Sequence, residues 1–192
     1  MDVTFFFDPA CPHTWRTSRW LVTVSQARDL RIAWRAFSLT ILNEGRGAPQ
    51  FAEALAASGR ALRLVEALRA EERHDDTARF YTELGARSHD VGSPLSDRAV
   101  TGAVEAAGLR ADAPALDDSR WDEAVRESHA LAYASAGPDI GSPVLTLPDA
   151  DRGVHGPIVT GVPGPDEALL LWDSLLPLVR MSVFHEIKRG RR

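Results

Sequence analysis

The sequence predicts an α/β fold in which one sheet is interrupted along the chain by a large all-helical insertion. Three observations predict it. A β-α-β pattern fills the first 37 residues, and strand-like runs then vanish from about residue 43 to residue 137 in favour of Ala, Leu, Arg and Glu. A short β-β-α pattern returns from residue 138 onward. Residues 1–42 and 138–192 are therefore assigned to one sheet-bearing domain, and residues 43–137 to a helical lid.

Val3 to Phe7 is a continuous apolar run rich in β-formers that stops at Asp8-Pro9. Cys11-Pro12 follows, and from His13 to Ala27 the residues Trp15, Trp20, Leu21 and Val24 recur at helical spacing. Pro12 sits at the first helical position, where its missing N–H does no harm. Arg31 to Phe37 alternates with period two and reads as a half-buried strand.

The insertion reads as helices over about Gln50–Ala57, Arg60–His74, Asp76–His89, Ser96–Ala107 and Trp121–Ala136. Pro94 and Pro114 fall in the breaks, and Ser96-Asp97 and Asp117-Asp118-Ser119 resemble N-caps. Pro143 to Leu147 then forms a strand, Asp149 to Gly153 a hairpin loop and Val154-His155-Gly156 its partner strand. Gly164-Pro165-Asp166-Glu167 opens a last helix running to about Arg189, with acidic residues in its first turn and a kink or break expected at Pro177.

The composition excludes several function classes. With 192 residues, 44% of them hydrophobic, the chain can bury a full core. The net charge is −5, and the only basic cluster is the terminal Lys188-Arg189-Gly190-Arg191-Arg192, read as a solvated end, so no nucleic-acid partner is indicated. No apolar stretch approaches the roughly 18 residues of a membrane span. The first residues lack a basic signal-peptide region, so a cytoplasmic location is expected. Six histidines show no metal spacing, and with one cysteine neither a metal site nor an internal disulfide is expected.

That cysteine, Cys11, carries the chemistry. It follows a strand and precedes a helix, where the first-turn N–H groups have no intrahelical partner. Those groups and the helix dipole favour a negative charge, and thiolate is the nucleophilic form of cysteine. His13, if protonated, adds a positive charge nearby. Thr14, three residues on, is placed to donate a hydrogen bond to the sulfur. The alternatives are a buried Cys11 that only packs and a surface His13 without a role. The flanking prolines favour a turn at a strand end over a core position.

Gly141-Ser142-Pro143 is the second feature. Proline at the first residue of a strand is uncommon, although base rates favour an ordinary trans bond. His89 and Asp90 read as surface residues near a helix end, and His129 as a satisfied face or core residue.

Phe7-Asp8-Pro9-Ala10-Cys11-Pro12-His13-Thr14-Trp15 with Thr17-Ser18-Arg19-Trp20-Leu21 resembles the active-site segment of DsbA-like thioredoxin-fold proteins, in particular the actinobacterial mycothiol-dependent nitroreductase family. The resemblance continues through Ser38–Glu44, Ser128-His129, Asp139–Pro143, Gly156-Pro157, Leu171-Trp172-Asp173 and Phe184–Arg189, in order along nearly the whole chain. The chain also resembles the glutathione-dependent 2-hydroxychromene-2-carboxylate isomerases. The resemblance implies a thioredoxin-like fold with a helical lid, and a cis bond at Pro143 facing the thiol. It further implies a low-molecular-weight thiol such as mycothiol as cofactor, and an electrophilic or disulfide substrate. It places the attacking thiol at Cys11. Pro12, Trp15, Asn43, Ser142, Pro143, Gly156 and Pro157 are the implied binding residues. A homodimer is compatible with base rates for such a domain, although no motif specifies it.

One departure matters. The family's motif is Cys-x-x-Cys, and Thr14 stands in the second position. A mixed disulfide on Cys11 must then be resolved by an outside thiol. This favours a monothiol oxidoreductase, or an isomerase or transferase in which the bound thiol is the nucleophile. A binding module that has lost its resolving cysteine is the non-catalytic alternative.

Overall fold

The computed structural model describes residues 1–46 and 48–190; the last two arginines of the basic tail lie outside the described residues. In chain order the elements are β1 (Asp2–Phe7), α1 (Pro12–Arg28), β2 (Arg31–Ala36), α2 (Leu39–Leu42), α3 (Ala52–Ala70) and α4 (His74–Gly85). A π-helical turn over Ala86–Asp90 continues α4. Then come α5 (Asp97–Ala106), a 3-10 helix over Arg110–Asp117, α6 (Trp121–Ala136), β3 (Val144–Thr146), β4 (Val154–His155) and α7 (Pro165–Val179).

The four strands form one mixed sheet in the order β2-β1-β3-β4. β1 runs parallel to β2, with Asp2 opposite Arg31 and Phe7 opposite Ala36. β3 is antiparallel to β1 with Phe5 opposite Leu145, and β4 is antiparallel to β3. A central strand covered on both faces reads as a nearly continuous apolar run, and Val3, Phe5, Phe6 and Phe7 are all buried, with Thr4 half-buried among them.

Phe5 and Phe7 meet Trp34 edge-on at 5.5 and 5.7 Å. Tyr81 of α4 lies 4.2 Å from Phe7. Phe6 points the other way, into a smaller cluster with Phe37, Ala132 and Val144. On the first face α1 packs against α7, where Trp20 Nε1 donates to the Ala168 carbonyl at 3.0 Å. Most buried apolar residues of α3, α4 and α5 belong to the same core as Phe5, Phe7 and Trp34, and Leu62 of α3 packs in a separate cluster with Ala36 and Val125. The middle helices are thus built onto the sheet by a shared hydrophobic core, which removes the apolar faces of both from water.

Three boundaries differ from the sequence reading. Residues 50–74 were expected as two helices broken at Ser58-Gly59, and α3 instead runs unbroken from Ala52 to Ala70. Glycine inside a helix is unfavourable by about 1 kcal/mol, and the burial of Ala61, Leu62, Leu64, Val65 and Leu68 outweighs it. The break expected at Pro114 is a 3-10 helix that contains the proline. The last helix ends at Val179 instead of near Arg189. Pro177 has no N–H to return to the preceding turn, and two residues later the helix stops.

Candidate active site

β1 ends at Phe7, and a tight turn delivers Cys11 to the N-cap of α1. The Cys11 N–H donates to the Asp8 carbonyl at 3.1 Å, and the Cys11 carbonyl accepts the Trp15 N–H at 3.1 Å. Pro12 is the first helical residue, and the Cys11 backbone is extended at φ −87° and ψ 113°. Cys11 is half-buried. Thr14 is fully buried in the same first turn. His13 lies between them, half-buried.

The loop before β3 faces this turn. The Sγ–H of Cys11 lies 3.6 Å from the Ser142 carbonyl oxygen. Ser142 Oγ accepts the Asp8 N–H at 2.9 Å and lies 2.8 Å from Thr14 Oγ1. The Ser142–Pro143 and Gly156–Pro157 peptide bonds are both cis. β4 ends against the same loop: the Gly156 N–H donates to the Pro143 carbonyl at 2.9 Å, and Thr17 Oγ1 donates to the Pro157 carbonyl at 2.8 Å. Gly156 has φ +112°, a conformation open to glycine and rarely to other residues. Two edges, Cys11–Thr17 of α1 and Gly141–Pro143 with Gly156-Pro157, thus face one another across the thiol.

Asp8 anchors the turn from below. Its carboxylate is buried and accepts from Ala10 N–H at 2.8 Å, Ser58 Oγ–H at 2.6 Å and Leu39 N–H at 2.6 Å. Burial pushes the Asp8 acid up from its ordinary value, and the bonds from Ser58, Leu39 and Ala10 oppose that rise.

The π-helical turn closes the other side. His89 Nε2 donates to the Pro9 carbonyl at 2.8 Å, which puts the ring proton on that nitrogen. Trp15 Nε1 donates to Asp90 Oδ1 at 2.8 Å. The Trp15 ring lies so close to Gly85 that a Cβ there would come within 2.2 Å of it. The Arg19 guanidinium stacks over the same ring at 4.2 Å. Burial lowers the His89 pKa, which favours the neutral imidazole.

Residues 10–189 match the family described as "Rv2466c-like: Mycothiol-dependent nitroreductase Rv2466c". The chain belongs to this mycothiol-dependent nitroreductase family. The uncharacterized protein Rv2286c of Mycobacterium tuberculosis (strain ATCC 25618 / H37Rv) is 31% identical over 195 residues, covering 98% of this chain and 82% of that one. A 2-hydroxychromene-2-carboxylate isomerase superposes with a TM-score of 0.60 at 17% identity, over 94% of this chain and 97% of the isomerase. The cytosolic disulfide reductase DsbM of Pseudomonas aeruginosa with GSH gives 0.56 at 15% identity, over 93% and 100% of the two chains. These structures establish a DsbA-like thioredoxin fold. The family is one of thiol-dependent oxidoreductases.

Within that family frame, the structure brings together Cys11, Pro12, Thr14, Ser142 and Pro143, with Gly156 and Pro157 joined to them through Pro143 and Thr17. Trp15 faces α4 instead, held by Asp90 and Gly85. Asn43 turns back onto its own helix, Nδ2 donating to the Leu39 carbonyl at 2.8 Å. The Thr14 hydroxyl meets the Ser142 hydroxyl, whereas the sequence reading aimed it at the sulfur. Asp90 is exposed, as expected, and accepts from Trp15, whereas His89, expected at the surface, is half-buried and donates to Pro9. His129 is a satisfied core residue, its Nδ1 accepting the Ser38 N–H at 3.3 Å.

Sequence reasoning missed Asp8, Ser58 and Gly85. Asp8-Pro9 was legible only as a strand stop, and Ser58-Gly59 only as a helix break. An acid placed between a buried strand and a helix-capping cysteine was the available signal for Asp8. No local pattern distinguished Ser58 or Gly85. Among the described residues no group of His, Cys, Asp and Glu side chains is placed to hold a metal ion, and no helix is long and apolar enough to cross a membrane.

Proposed function

We propose that this protein is a monothiol oxidoreductase acting through Cys11, with mycothiol or a similar low-molecular-weight thiol as its co-reactant in the cytoplasm. The observation that carries this reading is a half-buried cysteine at the N-cap of α1, its sulfur 3.6 Å from the Ser142 carbonyl, in a chain with no second cysteine.

The donor set fits such a thiol. The half-buried Cys11 beside the Ser142–Pro143 turn suits a molecule that presents a sulfur, while the hydroxyls of Thr14, Ser142 and Thr17 are buried and bonded within the protein and hold that turn in place. Cys11, Ser142 and Pro143 would hold its sulfur-bearing end, with Gly156 and Pro157 alongside. When bound, it supplies the reducing electrons.

Thiolate is the nucleophilic form of cysteine. Cys11 attacks one sulfur of a substrate disulfide, a Cys11–substrate disulfide forms, and the other substrate sulfur leaves with the electron pair as a thiolate. A thiolate from solution attacks the substrate sulfur of the mixed disulfide, forms a disulfide with it and releases Cys11 as the thiolate. That cycle exchanges one thiol for another; a further outside thiol, attacking the released mixed disulfide, completes the reduction, so that two outside thiols are oxidised for each substrate disulfide reduced.

Thr14 supports a second reading. Its hydroxyl is committed to Ser142 beside the thiol, which suits an isomerase or transferase in which the bound thiol is the nucleophile and Cys11 orients it. One experiment separates the two: mass spectrometry and turnover of the wild type and Cys11→Ser with mycothiol present. A mycothiol adduct on Cys11, with turnover abolished in Cys11→Ser, supports the oxidoreductase. Full turnover in Cys11→Ser overturns it in favour of the bound-thiol reaction.

A further inference from the structure

Asp8 is bonded to the cysteine turn, to Ser142 and to α2 and α3. Its carbonyl accepts the Cys11 N–H at 3.1 Å, and its N–H donates to Ser142 Oγ at 2.9 Å. Its carboxylate takes three donors: Ala10 in the cysteine turn, Leu39 at the start of α2 and Ser58 on α3. The Ala10 bond, two residues along the chain, is an Asx-type turn that sets the path from β1 to Cys11. The carboxylate is completely buried.

We propose that Asp8 is a positioning residue for Cys11. It holds the thiol against the Ser142 carbonyl through its two backbone bonds and its buried carboxylate, and Ser58 tunes that hold. This rests on the reading of Cys11 as the reactive group.

Two backbone N–H donors, from Ala10 and Leu39, converge on its oxygens and favour the ionised carboxylate over the acid that burial favours, while the Ser58 hydroxyl can donate to the one or accept from the other. The titratable groups around Asp8 are Cys11 at the start of α1, Tyr81 on α4 and His89 in the π-helical turn, which reaches the turn through Pro9; α2 and α3 contribute the uncharged donors Leu39 and Ser58. Protonating Asp8 weakens the bonds to Ala10 and Leu39, and the cysteine turn loses its fixed path. Deleting the Ser58 hydroxyl removes a donor that favours the charged form, so Asp8 protonates at higher pH.

The test is the rate at which Cys11 reacts with 2,2′-dithiodipyridine as a function of pH. In this reaction the Cys11 thiolate forms a disulfide with one probe sulfur, the probe's S–S bond breaks, and pyridine-2-thione departs with the electron pair. The Asp8 carboxyl carbon is followed in parallel by NMR, and folding by circular dichroism. In the wild type the rate should show an acid-side inflection at the pH where Asp8 titrates. Ser58→Ala should move both upward together. Asp8→Asn should lack the inflection and react more slowly at every pH, on the order of tenfold to a hundredfold, as expected when a reacting group is misplaced by about 1 Å.

If Ser58→Ala moves the Asp8 titration and leaves the rate profile unchanged, the proposal is wrong. It is equally wrong if Asp8→Asn keeps the wild-type profile. Should Asp8→Asn fail to fold, Ser58→Ala decides alone, because it retains the carboxylate. The probe reaction needs no mycothiol, so failure of the mycothiol chemistry would appear separately, as the absence of an adduct on Cys11.

Discussion

Thr14 Oγ1 and Ser142 Oγ lie 2.8 Å apart, joining the first turn of α1 to the loop that faces Cys11. The sequence on its own aimed the Thr14 hydroxyl at the sulfur. The fold directs it across the site, because Ser142 Oγ, already accepting the Asp8 N–H, sits where Thr14 can reach it.

Replacing Thr14 by valine keeps the shape and deletes the hydroxyl, leaving the buried Ser142 hydroxyl short of one partner. Such an orphaned group costs about 1–3 kcal/mol. Urea unfolding should show a loss of that size for Thr14→Val, and Thr14→Ser should recover most of it.

Thr14→Cys should change the chemistry more than the fold. It restores a second thiol one helical turn from Cys11, so a mixed disulfide on Cys11 can be released from within the chain. After oxidation the intact mass should fall by two hydrogens. Turnover should then depend less steeply on free thiol concentration than in the wild type.

Gly85→Ala tests the seat of Trp15. The added methyl would sit 2.2 Å from the indole carbons, and Trp15 is further held by Asp90 and Arg19. Overpacking of this kind typically costs about 1–3 kcal/mol. A lowered urea midpoint with an unchanged slope is the expected result, whereas Gly59→Ala, with open space around the position, should be neutral or stabilising.

His129 predicts a direction for pH dependence. Burial lowers its pKa in the fold, and its Nδ1 must stay unprotonated to accept the Ser38 N–H. The unfolded chain therefore takes up the proton first as pH falls. The stability this histidine contributes is present above the unfolded value of about 6.5 and is lost as pH falls toward the lower folded value. Unfolding free energy measured from neutral to mildly acidic pH should decline, and His129→Gln should flatten the decline. His89, also lowered by burial, contributes in the same direction.

Cys11→Ser should leave the fold intact, since Cys11 is held mainly through its backbone. The circular dichroism spectrum and unfolding midpoint should match the wild type while reaction with disulfide probes disappears.

The amino-acid sequence by itself determined the β-α-β start, the helical middle, the returning hairpin and the cysteine at a helix start. Each is written in short-range periodicity or in turn chemistry, and both act over a few residues. Tertiary structure alone decided that Ser58 stays inside a continuous α3 and reaches Asp8, that Gly85 seats Trp15, and that His89 and Asp90 hold the cysteine turn. Those pairs are separated by 50 to 80 positions along the chain. No local pattern encodes such contacts, because they arise only when the shared core packs the helices onto the sheet. The end of α7 belongs to both: Pro177 announced a break, and where the helix stops became visible only in the folded chain.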